Sequence, residues 1–150
     1  MQYMRQRISA WKARHGSINV VVGPAFDVHG NGKRPAYEDI TAVKMDKPVP
    51  LASHVFFVIT RCLTSNSPLR NCSHSDLDVT AFLLPNLPEP YSCMNNTERY
   101  VTKHMATVRD VETLTGLRFF ADLPTYDAIR LRTQLPLGLW TGSEETVKTG

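Results

Sequence analysis

The sequence lacks any long apolar run. Its first twenty residues, for example, are interrupted by four Arg and Lys side chains. A signal peptide needs a continuous apolar segment, and a membrane-spanning helix needs a longer one. We therefore expect neither a signal peptide nor a membrane span within these 150 residues.

A strong net charge is also lacking. The chain has 17 basic and 14 acidic residues, a formal net charge of +3, and no long basic run of the kind that marks a nucleic-acid tail. A nucleic-acid or anionic-surface binding module is thus disfavoured, although it stays an alternative. Hydrophobic residues make up 42% and charged residues 21%, which is typical of a globular domain with a real core.

Cysteine is scarce, with residues at 62, 72 and 93, and two N-glycosylation acceptor sequences begin at Asn71 and Asn95. Disulfides persist in extracellular chains, and Asn side chains of such chains can be glycosylated, so this combination indicates an extracellular parent. Cys62 and Cys72 are close enough in sequence for a local disulfide worth about 3 kcal/mol. An odd number of cysteines implies an absent partner, and the alternative is three reduced, buried thiols.

Three runs rich in β-branched and aromatic residues predict strands over 18–22, 54–60 and 79–84. The first is closed by Gly23 and Pro24, and we expect the first two strands to be buried. Residues 85–96 are rich in Pro and Asn and predict a long surface loop.

Three segments have helical character. The first covers residues 3–14 and ends before Gly16. The second begins at Thr107, which has capping-box spacing to an Asp, and ends at Gly116. The third is a short helix over 126–133. Because helices and strands do not alternate regularly, we predict an α+β domain.

Several polar and aromatic side chains invite a functional interpretation, but a structural one needs fewer assumptions. Aromatic residues near helix ends usually belong to the core, and charged residues on a helix usually cap it or pair at its surface. We therefore assign Trp11, Phe119 and Phe120 to the core, Arg109, Asp110 and Glu112 to capping and surface pairing, Arg130 and Arg132 to a solvated helix face, and His54 to a structural role.

Three segments together resemble one protein group: residues 19–27, 81–86 and 109–120. In order and spacing they are similar to the second half of the DNA/RNA non-specific endonuclease fold, and most similar to the inactive, C-terminal copy in the ectonucleotide pyrophosphatase/phosphodiesterase family, which includes autotaxin. Two further segments, residues 53–62 and 127–136, favour that family. The resemblance covers roughly residues 18–137, and no single motif carries it.

The resemblance implies a partial endonuclease fold of the ββα-metal, or His-Me finger, type. Such a fold has a mixed, mainly antiparallel sheet with flanking helices. We therefore expect three parts in the chain: an N-terminal helix over 1–15, the C-terminal half of a nuclease-like domain over 16–137, and a flexible tail over 138–150.

The resemblance also bears on catalysis. Active members use an Asp-Arg-Gly-His motif, whose His activates water, and a downstream Asn that holds a divalent ion. None of the five histidines stands in such a motif: His15, His29, His54, His74 and His104. We therefore assign no catalytic residue and expect a domain that supports the phosphodiesterase domain of the same parent. The alternative is a divalent-metal-dependent DNA/RNA endonuclease whose catalytic half lies upstream.

The matching positions in the family imply roles for the cysteines. They imply a local Cys62–Cys72 disulfide, and they imply that Cys93 bonds to a partner in the catalytic domain, outside this chain. The parent would then be a secreted or cell-surface glycoprotein with glycans at Asn71 and Asn95.

The segment that begins at Asp27 resembles a twelve-residue calcium loop. Asp27, Asn31 and Glu38 stand at ligand positions 1, 5 and 12, and Lys33 could offer its carbonyl at position 7. The residues at positions 3 and 9 are His and Pro, where the family has carboxylates. We therefore expect that no cofactor is required and that calcium binds at most weakly. A Gly-Asn-Gly turn without a metal is the alternative.

Overall fold

The structure, a computed structural model, describes residues 2–27, 29–33, 50–64, 68–86 and 97–140. These residues form one four-stranded sheet with helices on both of its faces. The strands are β1 (Ile18–Ala25), β2 (His54–Cys62), β3 (Leu77–Pro85) and β4 (Met105–Ala106). They lie side by side in chain order, and each is antiparallel to its neighbour. The predicted α+β class is confirmed, and each described pairing in the sheet is antiparallel.

In the described residues four α-helices accompany the sheet: α1 (Gln2–His15), α2 (Thr97–Lys103), α3 (Val108–Thr115) and α4 (Thr125–Thr133). Two 3-10 turns, Leu69–Asn71 and His74–Asp76, lie in the connection between β2 and β3. Among the helices described, none is long and apolar enough to cross a membrane.

The core consists of two clusters on opposite faces of the sheet. Phe56 and Val58 of β2 belong to the first cluster, whereas Phe57 and Ile59 belong to the second. Neighbouring side chains of a strand point to opposite faces, so a strand covered on both faces has a continuous apolar sequence. This arrangement explains why β2 is apolar without alternation.

Different helices cover the two faces. Val108 and Val111 of α3 and Leu131 of α4 pack in the first cluster, and Met4 and Trp11 of α1 pack in the second. Val101 of α2 completes the second cluster. The prediction that Trp11 is a core residue is confirmed, since only 3% of its surface is exposed.

β1 differs from its prediction in two ways. It was expected to be buried, but 38% of Val21 and 52% of Val22 is exposed, because β1 is the terminal strand of the described sheet. It also continues through Gly23 and Pro24 to Ala25. Proline is tolerated in a terminal strand because its missing N–H can face away from the ladder. A side chain at Gly23 would meet the ring of Phe56 at 2.9 Å, so glycine is what lets this ring pack beneath β1.

The boundaries of α3 follow the sequence closely. The Thr107 hydroxyl accepts a hydrogen bond from the Asp110 N–H at 3.1 Å, and the Asp110 carboxylate accepts one from the Thr107 N–H at 2.8 Å. Gly116 has φ +71°, the left-handed conformation that ends helices. The capping box and the stop at Gly116 are therefore confirmed.

The predictions for α1 and α4 are confirmed to within a residue or two, whereas α2 and β4 were not predicted. Most of the expected surface loop at 85–96 lies outside the described residues, as does the tail beyond residue 140. The division of the chain at residues 15 and 137 stays a prediction.

Candidate functional site

The residues after β1 fold around one carboxylate. Asp27, of which 4% is exposed, accepts hydrogen bonds from the N–H of His29 at 3.1 Å and the N–H of Gly32 at 2.7 Å. Gly30 and Gly32 have φ of +63° and +71°, a conformation that glycine adopts at little cost. We call residues 27 and 29–33 the Asp27 loop. The carboxylate at its centre fixes its shape.

The electrostatics of the Asp27 loop favour an ionised carboxylate. Burial raises the pKa of Asp27, but hydrogen bonds from the backbone amides of Gly32, Asn31, Gly30 and His29 lower it, and the net shift is downward. The loop amides stabilise the negative charge, so the same interactions that shape the loop keep Asp27 ionised near neutral pH.

The structure brings together part of the predicted calcium loop. Asp27 and Gly32, at positions 1 and 6, are joined by the 2.7 Å hydrogen bond. The side-chain oxygen of Asn31 accepts from the Lys33 N–H at 2.9 Å. Glu38 lies outside the described residues. In the described part of the chain no three His, Cys, Asp or Glu groups are placed to hold a metal ion. Weak or absent calcium binding stays a prediction.

A groove of about 570 Å³ separates the Asp27 loop from the C-terminal turn of α3, Thr113–Gly116. A Cβ atom at Gly32 would lie 3.4 Å from the Thr113 methyl group, so the two walls nearly touch at this point. The C-terminus of a helix carries partial negative charge. Asp27 and Lys33 both line the groove, so it contains residues of both charges.

His54 stands beside this loop at the start of β2. Its Nδ1 is 3.0 Å from the Ser53 hydroxyl, which itself donates to the Ala25 carbonyl at 3.0 Å. Burial lowers the pKa of His54, the neighbouring His104 lowers it further, and Asp27 opposes both, with a downward net shift. The neutral imidazole is therefore the form that the fold stabilises.

A buried ion pair joins α3 to α4, and the sequence analysis missed it. Arg132 donates to both oxygens of Glu112, its Nε at 2.9 and 2.8 Å and its Nη2 at 2.6 Å, and the Phe119 N–H donates at 2.8 Å. Only 13% of the Arg132 side chain and 6% of the Glu112 side chain are exposed. The assignments of Glu112 to surface pairing and Arg132 to a solvated face were therefore wrong.

One feature of the sequence could have predicted that Glu112 is buried. Glu112 follows Val108 by four residues and Val111 by one, so it lies in the apolar stripe of α3. A carboxylate in such a stripe requires a buried partner. The identity of that partner depends on how α3 and α4 pack, which the periodicity of one helix does not reveal.

A second buried polar cluster centres on Arg61 and Asp78, which are directly opposite each other on β2 and β3. The Arg61 Nε donates to Asp78 at 2.9 Å, and Gln134 donates to the other Asp78 oxygen at 2.6 Å. The Arg61 guanidinium also lies 4.2 Å from the centre of the Trp140 ring. The cluster fixes the segment after α4 against the sheet, so its role is structural.

The predicted Cys62–Cys72 disulfide is present, with the two Cα atoms 5.9 Å apart. Cys62 is buried, and Cys72 packs at the edge of the first core cluster. Asn71 is exposed beside it. Cys93 and Asn95 lie outside the described residues, so their predicted roles stay predictions.

Comparison with known proteins identifies the family. The sequence is 34% identical over 136 residues to a venom phosphodiesterase of Naja atra, and the match covers 85% of the chain and 16% of that relative. It is 38% identical over 136 residues to a venom phosphodiesterase of Macrovipera lebetinus, covering 84% of the chain and 16% of the relative. The ectonucleotide pyrophosphatase/phosphodiesterase family member 3 of Bos taurus is 35% identical over 129 residues, covering 80% of the chain and 15% of the relative.

No protein-family profile matches the chain. The relatives nevertheless confirm the resemblance that the sequence motifs indicated. The chain belongs to the ectonucleotide pyrophosphatase/phosphodiesterase family, and it spans about 16% of the length of these relatives.

Proposed function

We propose that the chain is part of a nuclease-like domain that supports the phosphodiesterase domain of a larger extracellular parent and hydrolyses nothing by itself. The observation that carries this proposal is the similarity of 85% of the chain to 16% of a phosphodiesterase. A segment of that size is consistent with one supporting unit of a larger enzyme, and the parent's hydrolase activity is part of the proposal.

The packing of three of the five matching segments supports the nuclease-like assignment. Residues 81–86 lie on β3, residues 109–120 contain α3, and residues 127–136 contain α4. Their side chains meet in the first core cluster, where Ala81, Val111 and Leu131 are buried. The segments therefore act as one packed unit, which is what a shared fold requires.

The use of the buried charges supports a structural role. The Asp27 carboxylate accepts backbone N–H groups, Glu112 is paired with Arg132, and Asp78 is paired with Arg61 and Gln134. A catalytic carboxylate must instead reach substrate, water or metal with its free lone pairs.

Exposed leucines after α4 supply a surface for the rest of the parent. Leu135 is 71% exposed and Leu137 is 101% exposed, and the Arg61 cluster fixes the segment that carries them. Two exposed apolar side chains, two residues apart on a fixed segment, suit a contact with another domain. Contact with the upstream phosphodiesterase domain would remove them from water.

An extracellular location has two supports. The Cys62–Cys72 disulfide is of a kind that persists in oxidising compartments. The relatives carry the words "venom" and "ectonucleotide" in their names. In an extracellular parent, Cys93 would form a disulfide with the catalytic domain. The Asp27 loop would bind calcium weakly or not at all.

The test begins with the transcript upstream of residue 1, which defines the parent to be expressed. We expect Leu137→Asp to lower the melting temperature and secreted yield of the parent, with kcat per folded molecule unchanged. Leu117→Asp is the matched control, because Leu117 is 49% exposed at a site after α3. It should leave both quantities close to wild type.

Two results would contradict the proposal. One is an Asp-Arg-Gly-His motif directly upstream, together with cleavage of DNA or RNA in Mg²⁺ or Ca²⁺ by the domain that contains this chain. The other is a parent whose stability and yield respond equally to the Leu137 and Leu117 substitutions.

A further inference from the structure

One acceptor sequence lies on a disulfide. Asn71, Cys72 and Ser73 form the tripeptide that accepts N-linked glycans, and its middle residue is bonded to Cys62. Asn71 and Ser73 are exposed, whereas Cys72 packs against the first core cluster. The disulfide therefore holds the centre of the acceptor sequence at the core while the flanking side chains face solvent.

Local hydrogen bonds fix the same tripeptide from both sides. The Cys72 N–H donates to the Leu69 carbonyl at 3.0 Å, which closes the first 3-10 turn. The Asp76 N–H donates to the Ser73 carbonyl at 2.9 Å, which closes the second. The Ser73 hydroxyl lies 3.0 Å from the Ser75 hydroxyl. Both the backbone and the hydroxyl of the acceptor sequence are thus engaged in the folded protein.

The ends of the connection are fixed as well. Cys62 and Leu77 are opposite each other in the β2–β3 ladder, and the Leu63 N–H donates to the Asp76 carbonyl at 2.9 Å. With the Cys62–Cys72 bond closed, the acceptor sequence cannot move away from the sheet without breaking the ladder or the disulfide. An enzyme that acts on this tripeptide needs local unfolding of the segment. The disulfide and the ladder therefore suppress the unfolding that the enzyme needs.

We propose that Asn71 carries an N-linked glycan that is added before the Cys62–Cys72 disulfide closes, so that disulfide closure competes with glycosylation. This inference rests on the proposed extracellular location. The exposed position of Asn71 leaves room for a glycan in the folded state, so the conflict concerns only the transfer step.

The two covalent steps use different atoms, and they compete because disulfide closure fixes the acceptor sequence. In glycan transfer, the Asn71 side-chain nitrogen bonds to C1 of the first sugar of a lipid-linked oligosaccharide diphosphate. The C1–O bond breaks, the diphosphate leaves with the electron pair, and the nitrogen loses one proton. In disulfide closure, the two thiols lose two protons and two electrons to the disulfide of a thiol oxidoreductase, which is reduced to two thiols.

The transferase reads the hydroxyl of Ser73 and must bring the Asn71 amide into line with the sugar. In the closed loop that hydroxyl is beside Ser75, and Asn71 is part of a 3-10 turn. A chain with free Cys62 and Cys72 thiols can release both contacts. Transfer therefore belongs to the period before closure.

The experiment uses the full 150-residue chain behind a cleavable secretory leader, with an added reporter acceptor sequence at its C-terminus. It is translated with microsomes, and only chains that carry the reporter glycan are scored. We expect Cys62→Ser to raise the fraction of chains glycosylated at Asn71 by about twofold or more. Disulfide formation, which takes seconds to hours, then no longer competes with glycan transfer. Cys62→Ser leaves the acceptor tripeptide unchanged.

Cys93→Ser is the matched control, because it removes a cysteine and leaves the Cys62–Cys72 pair intact. It should leave the occupancy of Asn71 at the wild-type value. Asn71→Gln and Asn95→Gln assign each endoglycosidase-sensitive band to its site. The occupancy of Asn95 should be the same in wild type and in Cys62→Ser.

Equal occupancy of Asn71 in wild type and Cys62→Ser would overturn the competition, and the absence of a glycan at Asn71 in both would overturn the site itself. The leader supplies entry into the secretory pathway, so either result is independent of where the natural parent resides. A parent without its own route to the cell exterior would instead contradict the proposed function.

Discussion

At the scale of single residues, the fold depends on charges that were removed from water. Glu112 and Arg132 are both buried, and the Phe119 N–H supplies a further donor to the carboxylate. A buried pair of this kind contributes little compared with an apolar pair of similar size, but the loss of one partner is costly because the other remains charged. The fold therefore requires both residues together.

Replacing Arg132 by Gln should lower the free energy of unfolding by about 3 kcal/mol, since Glu112 would stay buried without its cation. Arg109→Gln is the matched control. Arg109 approaches the same carboxylate at 3.9 Å, but 63% of its side chain is exposed, so its loss should change stability by less than about 1 kcal/mol. Urea unfolding of the two variants measures both values, and equal losses would contradict the assignment.

His54 makes stability depend on pH. Its pKa in the folded state is below its ordinary value of about 6.5, so the unfolded chain binds the proton more tightly than the folded chain does. Its stabilising contribution is present above pH 6.5 and is lost as the pH falls towards the folded-state pKa. Asp27, whose pKa is also lowered, acts in a separate and more acidic range.

We expect His54→Gln to lose less stability than wild type between about pH 7 and pH 5, because the neutral amide has no proton to bind. The slope of the free energy of unfolding against pH is the quantity to compare. Parallel curves for the two proteins would mean that His54 does not carry this dependence.

At the scale of elements, local signals predicted structure where the determinants are adjacent in sequence. The capping box of Thr107 and Asp110 and the stop at Gly116 fix α3 within ten residues of chain, and the apolar run of β2 is long enough to identify alone. The Cys62–Cys72 pairing is similarly local, and the family resemblance favoured it over reduced thiols. These features needed no knowledge of the rest of the fold.

Features that depend on packing could not be predicted in this way. Arg61 and Asp78 face each other only because of the β2–β3 register, and Glu112 meets Arg132 twenty residues away. The exposure of β1 depends on its terminal place in the strand order, which its own sequence does not specify. In each case the deciding contact is distant along the chain.

The α3 cap offers a clean test at this scale. Thr107→Ala removes the hydroxyl that accepts the Asp110 N–H, so we expect a loss of about 1 kcal/mol in the free energy of unfolding. Thr125→Ala is the control, since Thr125 begins α4 next to Pro124, an N-cap residue without a side-chain cap bond. The change should be small there, and an equal loss would show that the removal of any Thr side chain at a helix start, rather than the loss of the cap, lowers stability.

At the scale of the whole molecule, the described sheet is protected unevenly. Its two faces are covered by α1 and α2 on one side and by α3 and α4 on the other. β1 pairs only with β2 among the strands described, and Val21 and Val22 are exposed along it. An exposed terminal strand is a template for pairing with another chain.

This arrangement predicts that the 150-residue chain associates with itself through β1 when it is separated from the parent. Val22→Lys should reduce the association, because a charge on a terminal strand opposes strand pairing, and stability should change little since Val22 is 52% exposed. Tyr126→Lys adds the same charge at a site on α4 that is 77% exposed, so it controls for net charge.

Sedimentation equilibrium of the three proteins separates the effects. Reduced association in Val22→Lys alone places the contact at β1, equal reduction in both variants assigns it to general charge repulsion, and a monomeric wild-type chain would contradict the prediction that β1 is an open pairing edge.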